Sequence, residues 1–287
     1  MIYKDEYYAF RLVPQFEVEH SNFLSTDSAK EYSSNVRKLG KEWEWYGVDI
    51  DYNFNSMGYR SKNPEDLDDN YLLAFGCSYT EGIGLNEEDI YISKLSKHFN
   101  LDLLNLSHGG QGIDYCFYNT INYINKMKKK PKLVVYQWPF ETRKSFLYAE
   151  KISPFNFGTD FLSAHYDDKN KNRCELLNMD DKWYDERFLA DEGEMLKQML
   201  FYIDATNLLW KGLNIPVLNF HWPSVEPELS MYNGFMLDRD YPFFIYKIDE
   251  DRARDIVHAG KKSHSTLCTS IIKDIDENSI YTKETII

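Results

Sequence analysis

The stretch LLAFGCSYTEGIGL runs from Leu72 to Leu85 and decides how the chain is read. An apolar run stops at Gly76, and two small polar residues, Cys77 and Ser78, follow it. A short apolar run suits a buried strand, and glycine permits a tight turn after it. The turn therefore either connects a strand to a helix and nothing more, or presents Ser78 as a nucleophile at a strand end.

Apolar runs and helical patterns alternate from residue 71 onward, at a spacing of roughly thirty residues that is typical of βαβ units. Such units form a parallel sheet with helices on both faces. The carboxyl ends of its strands share one edge, where sites in α/β proteins are built, so we expect Ser78 at that edge. The pattern predicts strands at Tyr71–Phe75, 101–106, 132–138 and 215–220, and helices at 87–99, 113–129, 192–213 and 267–275.

Two parts of the chain fall outside this rhythm. Residues 1–69 are polar and poorly periodic, and we expect an N-terminal extension that packs on the main domain, 70–287, through its aromatic side chains. Residues 146–191 are charged and aromatic and are interpreted as an insertion over the sheet edge. This insertion is either a lid or substrate-contact segment, or a surface excursion without a role.

Composition limits the partners. The net charge of −13 repels phosphate backbones and anionic membranes, so we expect neither nucleic-acid nor membrane binding. The first residues lack the pattern of a signal peptide, which predicts a cytoplasmic protein, with virion association or another form of export left open. The four cysteines lack metal-ligand spacing and are predicted to be free thiols, with no metal bound. The oligomeric state is not predicted.

A serine nucleophile needs a base and a carboxylate that orients the base. The sequence DIVH near the end of the chain places Asp255 three residues before His258. On a helical turn or a tight loop, this spacing puts both side chains on one face. We therefore expect His258 to take the proton of Ser78 while Asp255 holds the tautomer of the ring.

A glycine-rich sequence, NLSHGGQG, follows the second predicted strand at residues 105–112. Its glycines free the backbone to turn N–H groups outward, as an anion site requires. The alternative is a turn whose glycines serve tight geometry alone.

The three blocks GCSYTEG, NLSHGGQG and DIVHAGKKSH, in this order, resemble those of the SGNH hydrolases, also called the GDSL esterase/lipase family. The resemblance spans residues 70–275. It implies a flavodoxin-like three-layer α/β/α sandwich with a parallel central sheet, and ester hydrolysis without a cofactor. Ser78 matches the nucleophile, with Cys77 in place of the usual Asp. Gly110 best matches the glycine whose N–H joins that of Ser78 in the oxyanion hole, with Gly109 as the alternative.

One block departs from the family, which carries Gly-x-Asn-Asp after its third strand and uses the Asn side chain as an oxyanion donor. Here Glu141 takes that position, and an ionised carboxylate cannot donate a hydrogen bond. Gln137, Arg143 and Asn219 are the candidates for the missing donor. These three residues, together with Glu141 and His221, are also the predicted substrate-binding positions.

The expected function is a serine esterase that acts through an acyl-enzyme on a small-molecule or glycan ester. An aromatic content of 16% makes a carbohydrate O-acetyl ester the preferred substrate. The alternative is a binding or structural protein of the same fold, for example a glycan-binding phage protein with little or no activity. The missing Asn favours this alternative, whereas the intact Ser78, Asp255 and His258 favour the enzyme.

Overall fold

The computed structural model describes residues 20–139, 143–148, 151–156, 192–222 and 243–277. For residues 143–148, 151–156 and 192–196 it describes the backbone alone.

Five parallel strands form the central sheet of the described chain. They are β3 (Tyr71–Phe75), β4 (Asp102–Asn105), β5 (Leu133–Trp138), β8 (Val217–His221) and β9 (Phe243–Ile245). Their order across the sheet is β4-β3-β5-β8-β9, which is 2-1-3-4-5 when only these strands are counted along the chain. That is the strand order of flavodoxin-like folds.

Helices cover both faces of this sheet. They are α2 (Ser78–Glu81), α3 (Tyr91–Phe99), α4 (Ile113–Lys126), α5 (Glu192–Gly212) and α6 (Lys261–Glu277). Successive strand side chains point to opposite faces. Leu73 and Val134 pack with α4 and α5, whereas Leu72 and Val135 pack with α3 and α6. The predicted three-layer α/β/α sandwich with a parallel central sheet is therefore confirmed.

Residues 20–70 contain more regular secondary structure than their polar sequence indicates. It contains β1 (His20–Ser21), α1 (Ala29–Leu39) and β2 (Tyr52–Asn53), and β1 pairs antiparallel with β2. Helix α1 begins after Ser28, whose Oγ accepts a hydrogen bond from the Glu31 N–H at 3.2 Å. Trp45 and Tyr52 are buried in the same apolar cluster as Leu72. This segment thus packs over the α3 and α6 side of the sheet.

The element bounds differ from the sequence patterns in a few places. The helical pattern from residue 87 begins with a 3₁₀ turn, Glu87–Asp89, before α3. The edge strand β9 was not predicted, because three residues are too short for a periodic signal. An antiparallel hairpin, β6 (Arg143–Tyr148) and β7 (Lys151–Asn156), stands where the insertion was expected to begin, and residues 157–191 lie outside the described residues. In the described helices, none combines the length and apolar composition that a bilayer crossing needs.

Candidate active site

Ser78 is the first residue of α2 and stands at the carboxyl end of β3. A β-carbon at Gly76 would lie 2.4 Å from Thr80 Oγ1, so only glycine fits the turn before it. Gly82 ends the helix in the left-handed region, with φ of 78°. The glycines of the opening stretch thus fold the chain tightly around Ser78, whose residue surface is 6% exposed.

His258 faces Ser78 from a loop before α6. Its Nε2 lies 2.8 Å from Ser78 Oγ, and its Nδ1 lies 2.5 Å from Asp255 Oδ2. Asp255 Oδ1 accepts hydrogen bonds from the N–H groups of Val257 and His258, at 3.1 and 3.0 Å. The three side chains therefore form one continuous line of hydrogen bonds, which is the arrangement by which serine hydrolases activate their nucleophile.

The electrostatics fix the tautomer of His258. Burial by itself would raise the pKa of Asp255, but the hydrogen bond and charge of His258 and the hydroxyl of Thr26 outweigh burial and hold that pKa below its ordinary value. An ionised Asp255 can only accept hydrogen bonds, so His258 Nδ1 carries the proton that it shares with Oδ2. His258 Nε2 is then left as an acceptor for the Ser78 hydroxyl.

The loop that carries Asp255 and His258 has an unusual backbone. Ile256 adopts φ of 57°, a left-handed conformation that costs a residue with a β-carbon about 1–2 kcal/mol. Its N–H donates to the Ala253 carbonyl at 2.9 Å, and its side chain is 41% exposed. The bonds of Asp255 to its own loop hold this conformation in place.

The backbone N–H groups of Ser78, Gly109 and Gly110 are the candidate oxyanion donors, and they differ in whether an acceptor already occupies them. Gly109 lies against Ser78, since a β-carbon at 109 would be 3.5 Å from Ser78 Cβ, but its N–H donates to Glu81 Oε2 at 2.7 Å. Gly110 has φ of 76°. Among the described residues, no acceptor receives the N–H of either Ser78 or Gly110. Of the two candidate glycines, Gly110 is therefore the one with a free donor.

Gln137 does not provide a further donor for a substrate, contrary to its candidate role. Its Nε2 donates to the carbonyls of Trp138 and Trp222, at 3.1 and 3.0 Å, which uses both amide hydrogens. Its Oε1 accepts from the N–H and the Sγ of Cys77, at 3.2 and 3.1 Å. Gln137 thus supports the turn before Ser78 and binds the thiol of Cys77.

The candidate role of Asn219 as an oxyanion donor does not fit its contacts either. Its Nδ2 donates to Asn207 Oδ1 at 2.8 Å, and its Oδ1 accepts from Trp138 Nε1 at 2.9 Å. Asn207 belongs to α5, so these bonds place the Asn219 amide in the buried layer between sheet and helix, with no exposed surface. The alternation of side chains along β8 sends it away from the site.

The other predicted binding residues are placed as follows. His221 is buried, and its Nδ1 lies 2.9 Å from the Trp138 carbonyl oxygen, which ties it to the neighbouring strand. Arg143 begins β6 opposite Asn156, and its side chain is outside what the structure describes. Glu141 lies outside the described residues.

Two residues that were not predicted from the sequence touch the site. The hydroxyl of Thr26 donates to Asp255 Oδ2 at 2.6 Å. Glu81 is buried, and besides Gly109 it binds His108 Nδ1 through Oε1 at 3.1 Å. Glu81 had a signal, because it is a lone charge within an apolar and glycine-rich block. Thr26 had none, since a threonine in a polar stretch does not indicate a partner far along the chain.

A buried ion pair stands next to Asp255. Arg254 donates to the Asp27 carboxylate from Nε at 2.9 Å and from Nη2 at 2.8 Å, and both side chains are shielded from solvent. The Tyr52 hydroxyl donates to Asp27 Oδ2 at 2.6 Å and accepts from the Gly84 N–H at 2.8 Å. The N-terminal segment thereby links the serine turn to the loop that carries Asp255 and His258.

No protein-family model matches the sequence, and no curated protein matches it either. Solved structures to which the chain is similar include TesA, at 13% identity over 71% of this chain and 97% of that chain, with a TM-score of 0.43. An acetyl xylan esterase, Est2A from Butyrivibrio proteoclasticus, is 12% identical over 81% of this chain and 68% of that chain, with a TM-score of 0.43. A lipolytic protein of the G-D-S-L family from Desulfitobacterium hafniense is 10% identical over 72% and 99%, with a TM-score of 0.41.

Esterases and G-D-S-L proteins thus recur among the structures that resemble this chain. The class of protein, a flavodoxin-like α/β sandwich, rests on the strand order and on the helices that cover both faces of the sheet.

Proposed function

We propose that the chain is a serine ester hydrolase of SGNH type. The observation that carries the proposal is the line of hydrogen bonds from Ser78 Oγ through His258 to Asp255, with distances of 2.8 and 2.5 Å. It stands at the carboxyl edge of a parallel sheet, where α/β enzymes build their sites.

In the first half of the proposed reaction, Ser78 Oγ attacks the carbonyl carbon of the ester while His258 Nε2 takes the hydroxyl proton. The carbonyl oxygen becomes an oxyanion, and the free N–H groups of Ser78 and Gly110 are the proposed donors to it. When the carbon–oxygen bond to the alcohol breaks, His258 returns the proton to the leaving alcohol. The acyl group is then bound to Ser78 as an ester.

In the second half, a water molecule attacks this acyl-enzyme and gives its proton to His258 Nε2. The bond to Ser78 Oγ breaks, Ser78 recovers the proton, and the carboxylic acid is released. Asp255 stays ionised throughout and stabilises the imidazolium that forms in each half.

Within the described residues, the proposed oxyanion hole has two backbone donors, because the amides of Gln137 and Asn219 are bonded inside the protein. The side chain of Arg143, the remaining candidate, lies outside the described part. One donor is worth about a factor of 10²–10³ in rate in enzymes of this kind. We therefore expect simple esters to turn over slowly. A natural substrate that carries its own hydrogen-bond donor to the oxyanion would turn over faster.

A carbohydrate O-acetyl ester is the proposed substrate class. Its support is one aromatic residue at the site, the partly exposed Tyr79, whose ring centroid lies 5.0 Å from that of His258. Aromatic side chains offer a rigid apolar face beside a polar group, which suits a sugar ring. A small acyl group suits the close approach of Gly109 to Ser78.

The test compares p-nitrophenyl acetate hydrolysis by the wild type, Ser78→Ala and Ser265→Ala, which removes an exposed hydroxyl from α6 as the matched control. We expect the Ser78 variant to lose a factor of at least about 10³ and the control to keep the wild-type rate. Equal rates in wild type and Ser78→Ala, or none in either, would refute the proposal. Acetylated xylan and long-chain lipid esters then separate the substrate classes.

The alternative is a protein that binds glycans with this fold and does not hydrolyse them. The observation that favours it is the lack of a third oxyanion donor from Gln137 and Asn219. Saturable binding of an acetylated glycan by wild type, with no acetate released over a long incubation, would decide for the alternative.

A further inference from the structure

Thr26 reaches the proposed catalytic carboxylate from the opposite end of the chain. Its hydroxyl donates to Asp255 Oδ2 at 2.6 Å across a separation of 229 residues. Oδ2 is also the oxygen that binds His258 Nδ1 at 2.5 Å. One carboxylate oxygen therefore serves two donors, and the strength of one bond affects the other.

A tight backbone turn fixes the position of the Thr26 hydroxyl. Leu24 and Asp27 close a tight turn with two mutual backbone hydrogen bonds of 3.0 Å, and Ser25 within it adopts φ of 54°. Asp27 is fixed in turn by its buried ion pair with Arg254, the residue next to Asp255. The turn is thus attached to the loop that it serves.

We propose that Thr26 is a positioning residue of the active site, whose hydroxyl orients the Asp255 carboxylate and draws negative charge away from His258. The inference rests on the proposed function. A hydrogen bond to a carboxylate spreads its charge, so the imidazolium of His258 is stabilised less when Thr26 is present. Removal of the hydroxyl should increase the proton affinity of His258. It should also leave the Asp255 carboxylate less firmly oriented.

Few other groups around Asp255 and His258 could cause such a change. Apart from His258 and the N–H groups of their own loop, Thr26 is the donor to Asp255 in the described part of the chain. In the described residues, the groups that interact with His258 from other elements are Ser78 and the Tyr79 ring in α2 and His264 in α6. Burial lowers the pKa of His264 to about 3, so that ring stays neutral over the working range.

The experiment compares the wild type, Thr26→Val, Thr26→Ser and Thr269→Val. Thr269 is an exposed threonine of α6 whose hydroxyl donates to the Ser265 carbonyl within the same helix, so its variant is the matched control. The readouts are the pH profile of kcat/KM on p-nitrophenyl acetate and the pH midpoint of the His258 ring signal in NMR, assigned by its loss in His258→Gln. Thermal unfolding checks that each variant folds.

In Thr26→Val we expect the acid limb of the profile and the NMR midpoint to move up by about half a pH unit or more. We also expect kcat to fall several-fold with little change in KM. Thr26→Ser keeps the hydroxyl and should restore wild-type behaviour, and Thr269→Val should match the wild type.

Profiles and midpoints that coincide in wild type and Thr26→Val would overturn the inference, as would a shift in Thr26→Ser as large as that in Thr26→Val. A wild type that hydrolyses no ester would refute the proposed function instead. The NMR titration would still decide the effect of Thr26, so the two failures can be told apart.

Discussion

Gly84 lies so close to Ala253 that a β-carbon at position 84 would stand 2.8 Å from the Ala253 side chain. The Arg254 N–H donates to the Gly84 carbonyl at 3.1 Å in the same contact. Gly84 follows the serine turn, and Ala253 precedes Asp255. This contact therefore helps to set the distance between Ser78 and His258.

Gly84→Ala should weaken both folding and activity. Gly84 has φ of 80°, which a β-carbon opposes by about 1–2 kcal/mol, and crowding against Ala253 adds about as much again. Gly47→Ala is the control, because Gly47 has φ of 71° with nothing within 4 Å of the added atom. Denaturant unfolding should show a loss about twice as large for Gly84→Ala, with a fall in kcat in that variant alone. Equal losses of unfolding free energy in the two variants would mean that the contact with Ala253 adds no cost at position 84.

Asp27→Asn should be strongly destabilising because it leaves the buried guanidinium of Arg254 without its carboxylate. Removing one partner of a buried pair costs about 3–5 kcal/mol. Glu277→Gln breaks the exposed pair with Lys273, whose atoms are 3.7 Å apart, and should leave the unfolding free energy unchanged. If both variants unfold like the wild type in urea, the pair contributes nothing to holding the loop.

Glu81→Gln should lower kcat about tenfold with little change in KM. The carboxylate binds the Gly109 N–H and His108, and so fixes the loop that carries Gly110, the proposed oxyanion donor. A neutral amide makes the weaker bond to the Gly109 N–H, and the oxyanion exists only after attack begins. Glu88→Gln, on the exposed 3₁₀ turn, is the matched control. An unchanged kcat with an elevated KM would contradict this role.

His264 should make the protein sensitive to acid. Burial lowers its pKa from 6.5 to about 3, against the opposing charge of Asp251, and its Nδ1 accepts the Tyr91 N–H at 3.0 Å. Below pH 6.5, His264 binds a proton in the unfolded chain but stays neutral in the folded chain. The stability from this group is therefore complete above pH 6.5 and falls by about 1.4 kcal/mol for each pH unit below it.

The check is the unfolding free energy at about pH 7 and about pH 5 in the wild type, His264→Asn and His98→Asn. Asn can still accept the Tyr91 N–H but does not titrate. We expect a smaller acid loss in His264→Asn, by about 2 kcal/mol, whereas the exposed His98 variant should follow the wild type. Parallel curves in all three proteins would show that His264 is not the sensitive group.

The sheet could be predicted from sequence because strands buried on both faces read as continuous apolar runs. Tyr71–Phe75 and Leu133–Trp138 are such strands, and every residue in them is buried. The pairing of Ser78 with His258 could be anticipated from the order of three short blocks. Helix α1 was missed although Ser28 and Glu31 have the spacing of a capping box.

Other parts of the site could not be predicted, for physical reasons. Gln137 and Asn219 sit in strands at the correct edge, but which face a strand side chain takes depends on packing across the sheet. Their amides satisfy buried groups, as polar side chains without access to water must. Thr26 carries no local pattern, since its contact with Asp255 is made by the tertiary fold alone.

The ion pair between Asp27 and Arg254 joins residues that are synthesised far apart in time. The two residues are separated by 227 positions, which a ribosome covers in roughly 10 to 45 s at 5–20 residues per second. During that interval Asp27 lacks its partner Arg254, and Ser78 lacks His258, its proposed base. The proposed hydrolysis by Ser78 can therefore begin only after synthesis has passed His258.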